Sequence, residues 1–247
     1  MHRLFCDAAL EQGGKVVIST EDLHHLRDVL RLRDGETVAL VDPAGIQGTG
    51  TVVREPEFAL ICTEKEDRQR KEEGGDVILY MGLAKGEKFD LIVQKTVELG
   101  VLKIVPVMFG RCIVRLSEKD IPKRLSRWNR IAREAAMQSG RIRIPEVTAP
   151  VTVAELCGAI EGTRTLLAWE MEKETSVKEA LSRTDPEEPL ALIVGPEGGI
   201  DEEEADRITG VGAVSVSLGS RILRCETAPI ALMSIVEYER GGMEARK

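Results

Sequence analysis

The stretch PLALIVGPEGGI, Pro189 to Ile200, is a short apolar run that breaks into a glycine turn. Bounded by turn residues and too brief for a buried helix, the run predicts a strand over Pro189–Val194. A second unit of the same design follows. AVSVSL, Ala213 to Leu218, alternates as a strand does, and LGSRILRCETA, Leu218 to Ala228, carries the chain onward as a loop. Each loop leads into a helix-like segment. Two strand ends are therefore expected to present glycine-rich loops side by side. In open α/β sheets, ligands sit at the carboxyl ends of the strands, where glycine lets a small molecule approach the backbone closely. A cofactor pocket is the first expectation.

Charge narrows the cofactor. Glu197 lies in the first loop, and Asp201, Glu202, Glu203 and Glu204 crowd the first turn of the next helix. A helix N-terminus attracts phosphate only when nothing else neutralises it, and here no G-x-G-x-x-G or Gly-Lys-Ser/Thr accompanies the acids. Nucleotide phosphates would meet repulsion. A cationic adenosyl ligand such as S-adenosylmethionine, with its sulfonium, suits glycine loops beside a carboxylate better than ATP or NAD. The acidic run also reads as ordinary helix-start chemistry.

Outward from these loops, Val77–Leu83, Val101–Phe109 and Arg164–Ala168 are further strand-like runs separated by helical patterns, as in a mostly parallel α/β sheet. In the helix predicted over Glu87–Leu99, Phe89, Ile92, Val93, Thr96, Val97 and Leu99 form an apolar stripe that leaves Lys88, Lys95 and Glu98 outward. In the helix predicted over Lys119–Ser139, Arg127, Arg130 and Arg133 share one side, while Trp128, Ile131 and Ala135 can face a core. Toward the N-terminus, Val38–Val41, Gly50–Val53 and Phe58–Cys62 read as strands of a small β-rich domain, the first two joined through Asp42–Gly45. The almost purely polar DRQRKEEGGD, Asp67 to Asp76, is the linker candidate.

A chain of 247 residues with 43% hydrophobic content can bury one large core or two smaller ones. Cys6, Cys62, Cys112, Cys157 and Cys225 are odd in number and scattered, so neither a disulfide framework nor a zinc site is suggested, and a reducing, cytoplasmic location is expected. Residues 1–14 lack a signal-peptide pattern, and the apolar stretch Ala228–Val236 is too short to span a bilayer. The net charge of −8 is unusual for a nucleic-acid binder, but it is polarised. Lys103–Pro145 holds eleven Lys or Arg against three acids, so this segment is +8 and the remainder −16. Such polarity fits one face for phosphates, and equally a solvated basic helix.

The two loops, together with KGEKFDLIVQKTVELGV at Lys85–Val101, RWNRIAREAAMQSGR at Arg127–Arg141, MHRLFC at Met1–Cys6 and HHLRDVLRLRDGE at His24–Glu36, resemble the 16S ribosomal RNA uracil-N3 methyltransferases of the SPOUT class. The resemblance runs over nearly the whole chain, with Cys225 standing where the family favours threonine, alanine or another small residue. It implies a C-terminal α/β trefoil-knot methyltransferase domain over 76–247 and an N-terminal PUA-like, RNA-binding β-barrel domain over 1–70. By motif position, Gly195, Glu197, Gly199, Leu218, Gly219, Ile222, Leu223 and Arg224 would line an S-adenosylmethionine site. Arg3, Arg31, Arg33, Arg111, Arg127, Gln138 and Arg141 would approach 16S rRNA of the small ribosomal subunit, and Arg27 could join them. A homodimer is implied, with Ala228–Val236 as interface helix or, equally, as buried core. No metal is needed.

No histidine sits in a catalytic loop, since His2, His24 and His25 all lie near the N-terminus. Arg224 is favoured as an electrostatic partner for charge developing on the uracil carbonyls, with Glu226 orienting it or the cofactor. An ion pair between Arg224 and Glu226 that merely stabilises the loop is the alternative. Two wider alternatives stand beside this reading. One is a SPOUT enzyme acting on another RNA position, such as a tRNA ribose. The other is a non-catalytic ribosome-assembly factor.

Overall fold

The computed structural model describes residues 2–54, 56–66, 72, 74–182, 185 and 188–244. The chain divides into two compact units, Met1–Lys71 with Ala136–Arg143, and Glu72–Ala135 with Ile144–Lys247. The stretch read as a linker, Asp67–Asp76, lies mostly outside the described residues.

The first unit is built on a four-stranded sheet in the order β1 (Arg3–Phe5), β2 (Thr37–Val41), β3 (Gln47–Val53), β4 (Ala59–Lys65). β1 runs parallel to β2, and the later pairs are antiparallel. The turn between β2 and β3 is made by Asp42, whose carboxylate accepts from the backbone N–H of Ala44 and of Ile46, both at 2.9 Å. This is the local chemistry that favours aspartate at turns. A short helix α1 (Thr20–His24), capped by the Ser19 hydroxyl, runs into one π-helical turn over His25–Val29. Leu4, Leu10, Leu26, Leu40, Val52 and Leu60 form much of the core.

The second unit is a parallel sheet in the order β11 (Val214–Val216), β9 (Arg164–Ala168), β10 (Leu190–Val194), β5 (Val77–Gly82), β6 (Lys103–Met108), β7 (Glu146–Val147), with β8 (Val151–Thr152) also on β6. All five residues of β10 are buried, the pattern of a central parallel strand covered on both faces. The order corrects one expectation. The strands that carry the two glycine-rich loops are not neighbours, because β9 lies between them.

Helices α2 (Lys88–Glu98), α3 (Ile121–Ser139), α4 (Val153–Ile160), α5 (Val177–Leu181), α6 (Glu202–Gly210) and α7 (Thr227–Glu239) complete the unit, apart from the last turn of α3, which belongs with the first unit. In α2, Phe89, Ile92, Val93, Thr96 and Val97 are buried as their spacing predicts, and Phe89 meets Trp128 of α3 at 4.5 Å between ring centroids. In α7, Pro229, Leu232, Met233, Val236 and Glu237 are buried, whereas Ile230, Ala231 and Ile235 on the other side stay half-exposed. Among the described residues no helix is long and apolar enough to cross a membrane.

Candidate functional site

The loop after β10 is held from below by its own helix. Asp201 caps α6 by accepting from the Glu204 N–H at 2.9 Å, and the Glu204 carboxylate accepts from the Gly110 N–H at 2.7 Å. Two of the four acids therefore do helix-start and loop-tying work, as one of the sequence readings allows, while Glu202 and Glu203 remain exposed. Arg111, beside Gly110, reaches the Gly198 carbonyl at 3.5 Å from an exposed position.

Glu197 is the centre of the site. Its Oε1 accepts from the Lys85 N–H at 2.9 Å and lies 3.5 Å from Lys88 Nζ. The same ammonium is 3.5 Å from Glu226 Oε2, at the N-cap of α7, and 4.0 Å from Cys225 Sγ. Lys88 thus links the loop after β10 to the end of the loop after β11. Burial raises the Glu197 carboxyl, but the Lys85 N–H, its own N–H and the Lys88 charge outweigh it and leave it below the ordinary range. Glu226 is lowered by its own backbone N–H, by the Cys225 thiol at 3.2 Å and by Lys88. Burial works against the Lys88 charge, yet Cys225, Glu226 and Glu197 together raise its pKa. Burial, then the Glu226 contact and the Glu197 charge, pushes the Cys225 thiol up to about 12, so it stays protonated near neutrality. The cluster is a fixed set of two carboxylates and one ammonium, with no group poised to trade a proton near pH 7.

Arg224 is exposed, and among the described residues its side chain makes no hydrogen bond or ion pair; its carbonyl accepts from the N–H groups of Thr227 and Ala228 at 2.9 Å each. The alternative ion pair between Arg224 and Glu226 is not formed, because Glu226 is taken by Lys88. Gly219 adopts φ +101° with nothing near the place a Cβ would occupy, leaving open space over the backbone. Ile222 is 89% exposed on the same loop.

Residues 71–237 match a family model described as an RNA methyltransferase domain, and residues 18–62 one described as an RNA methyltransferase PUA domain. The ribosomal RNA small subunit methyltransferase E of Bacillus subtilis is 31% identical, over 97% of this chain and 97% of its own. The chain belongs to this methyltransferase family. A family protein from Synechocystis is 32% identical over 89% of this chain and 72% of its own. The crystal structure of the Neisseria gonorrhoeae family member, bound to S-adenosyl methionine, matches with a TM-score of 0.83 and 31% identity over 97% of this chain and 98% of that one. The α/β fold with its parallel sheet and N-terminal PUA domain agrees with the sequence reading.

The residues expected at RNA are placed unevenly. Arg31 and Arg33 are exposed, Arg31 with an unusual φ of +53°, and Gln138 is exposed on the last turn of α3. Arg27 is exposed but paired with Asp28 at 2.8 Å. Arg127 is exposed and paired with Asp90 of α2 at 2.6 Å. Arg141 is only 8% exposed, which corrects its expected place on an open surface. Gly140 ends α3, the Arg141 N–H turns back to the Ala136 carbonyl at 3.0 Å, and the Arg141 carbonyl accepts from Arg3 at 3.1 Å. Periodicity missed Lys88, read as an outward residue of a packing helix. It is on that outward side, but two carboxylates from distant loops lie over it.

Proposed function

We propose that this chain methylates N3 of a uridine in 16S rRNA of the small ribosomal subunit, with S-adenosylmethionine as donor. The observation that carries the reading is Arg224, which is exposed and among the described residues makes no side-chain hydrogen bond or ion pair, two residues before Glu226, whose charge is already met by Lys88. The full-length likeness to small subunit methyltransferases, and the donor bound in the Neisseria relative, support it.

The residues fit the donor. Glu197 Oε2 is buried with no hydrogen-bond partner among the described residues, which suits a positively charged ligand, and the open face of Gly219 admits close approach to the backbone. Gly195, Glu197, Gly199, Leu218, Gly219, Ile222, Leu223 and Arg224 would hold it. When bound, S-adenosylmethionine supplies an electrophilic methyl group on its sulfonium. The chain supplies position and charge. Arg224 stabilises the negative charge that spreads onto the uracil carbonyls as N3 loses its proton, and Glu226, fixed by Lys88 and the Cys225 thiol, sets the loop that presents Arg224. The proton leaves to solvent or to the RNA, since the cluster holds no base matched to neutral pH.

The reading extends to the whole molecule. Residues 1–70 form the RNA-binding domain and 76–247 the methyltransferase domain, with the C-terminal segment threaded as a trefoil knot. Arg31, Arg33, Arg111, Arg127 and Gln138 meet rRNA, while Arg3 and Arg141 shape the surface next to it. The protein works in the cytoplasm as a homodimer, and the half-exposed Ile230, Ala231 and Ile235 of α7 support that assembly. The test is transfer of labelled methyl from S-adenosylmethionine to small subunits that lack the modification. Incorporation into rRNA is expected. Donor binding without transfer to any RNA would instead favour an assembly factor.

A further inference from the structure

Because β9 lies between β10 and β11, whatever follows β9 stands between the two glycine-rich loops. The three strands end in register: Ala168 pairs with Val194 on one side and with Val216 on the other. The next residues are Trp169, Glu170 and Met171. Trp169 is fixed on both sides, its N–H donating to the Val216 carbonyl at 3.2 Å and its indole Nε1 to the Ile200 carbonyl at 3.3 Å. A turn closed by the Glu172 N–H on the Trp169 carbonyl at 3.1 Å then holds Glu170 and Met171 at the rim.

Glu170 occupies a place made by glycine. Gly199 has φ +73°, and a Cβ there would collide with Glu170 Oε1, so the carboxylate lies directly against the loop after β10. Among the described residues this carboxylate makes no hydrogen bond or ion pair. Its neighbour Met171 is 62% exposed, and Ile222, on the loop after the adjacent strand β11, is 89% exposed. The rim therefore carries an unused carboxylate, with one exposed apolar side chain next to it in the chain and another on the loop after the neighbouring strand.

We infer that Glu170 is the ribose-binding residue of the donor site, its carboxylate accepting from the 2′- and 3′-hydroxyls of the adenosyl ribose, with Met171 and Ile222 flanking the adenine ring. A vicinal diol offers two donors to the two oxygens of one carboxylate, and an aromatic base beside it covers apolar side chains that would otherwise face water. Glu197 and Glu226 already share Lys88, whereas the Glu170 carboxylate faces no cation among the described residues and suits neutral donors. The inference rests on S-adenosylmethionine being the donor.

The experiment is calorimetric titration of the full-length wild type and of Glu170→Gln with S-adenosylhomocysteine and with 5′-methylthioadenosine, which keeps the ribose and lacks the amino-acid end. The variant should fold as wild type does, since Glu170 is exposed. Both ligands should bind the variant roughly ten- to hundredfold more weakly, the size expected for hydrogen bonds to a charged acceptor. A loss for S-adenosylhomocysteine alone would place the carboxylate at the amino-acid ammonium and overturn the ribose assignment. Wild-type affinity for both ligands in the variant would overturn any role for Glu170 in the site. If the wild type bound neither ligand, the donor reading itself would fall, and this inference with it.

Discussion

Arg224 carries its charge into solvent from a loop whose one carboxylate, Glu226, is already committed to Lys88. Removing an exposed side chain that makes no hydrogen bond or ion pair among the described residues should leave stability within about 0.5 kcal/mol of wild type. If Arg224 meets the donor through its backbone and its guanidinium offsets charge that develops only during methyl transfer, Arg224→Ala should lower kcat by roughly 10²–10³-fold while donor affinity stays near wild type. A paired loss of affinity and melting temperature would instead make Arg224 a structural residue. A second prediction concerns thiols. Burial pushes both Cys6 and Cys225 up to about 12 from an ordinary 9.0, so the folded state holds these protons more tightly than the unfolded chain. Their contribution is complete below pH 9.0 and is lost as pH rises toward 12. The melting temperature should fall across that alkaline window, and replacing Cys6 with valine should flatten part of the fall. At this scale Glu197 and Arg224 could be singled out in the sequence because they sit inside recognisable loops. Lys88 could not: helical spacing says which way a side chain leaves its helix, and nothing about which distant carboxylates lie over it. Glu170 was hidden for a similar reason, because its importance comes from the order of strands.

Elements meet at Lys88, which joins α2, the loop after β10 and the cap of α7 through two contacts of 3.5 Å. Both pairs are partly open to water, so Lys88→Met should weaken donor binding only a few-fold, and Lys88→Arg should restore most of it. An unchanged affinity in Lys88→Met would show that the two loops hold their places without the tie. The pH sign follows from the carboxyls. Glu197 and Glu226 are both held below their ordinary range, so the tie is complete above that range and is lost as pH falls through their depressed values. Donor affinity should decline on the acid side and stay level through neutrality. Element positions were legible wherever periodicity was strong. The buried face of α2 and the five buried residues of β10 lie where apolar spacing puts them. Strand order was not legible, because a periodic pattern marks a strand without saying which strand pairs beside it, and so the insertion of β9 between the loop-bearing strands appears only in the fold.

The whole molecule carries a net charge of −8 with a segment of +8 at its middle, and an RNA partner should feel that segment. Binding to small-subunit rRNA should weaken with salt, and Arg111→Ala should reduce the salt slope by roughly one. Arg141→Ala should act through stability instead, since Arg141 is buried where the chain turns back at the end of α3. Arg141 shows how far sequence reaches here: an arginine in a basic run reads as surface, and only the turn after Gly140 reveals that it is enclosed. The family itself was legible because several motifs recur in order along nearly the full chain, and the match to the Bacillus subtilis relative covers the same extent. The measurement that bears most directly on the proposed activity is mass identification of the nucleoside produced when the wild-type protein, S-adenosylmethionine and unmodified small subunits are combined and the rRNA is digested. The predicted result is N3-methyluridine, formed roughly 10²–10³-fold more slowly with Arg224→Ala. A different methylated nucleoside, or none in the presence of bound donor, would contradict it.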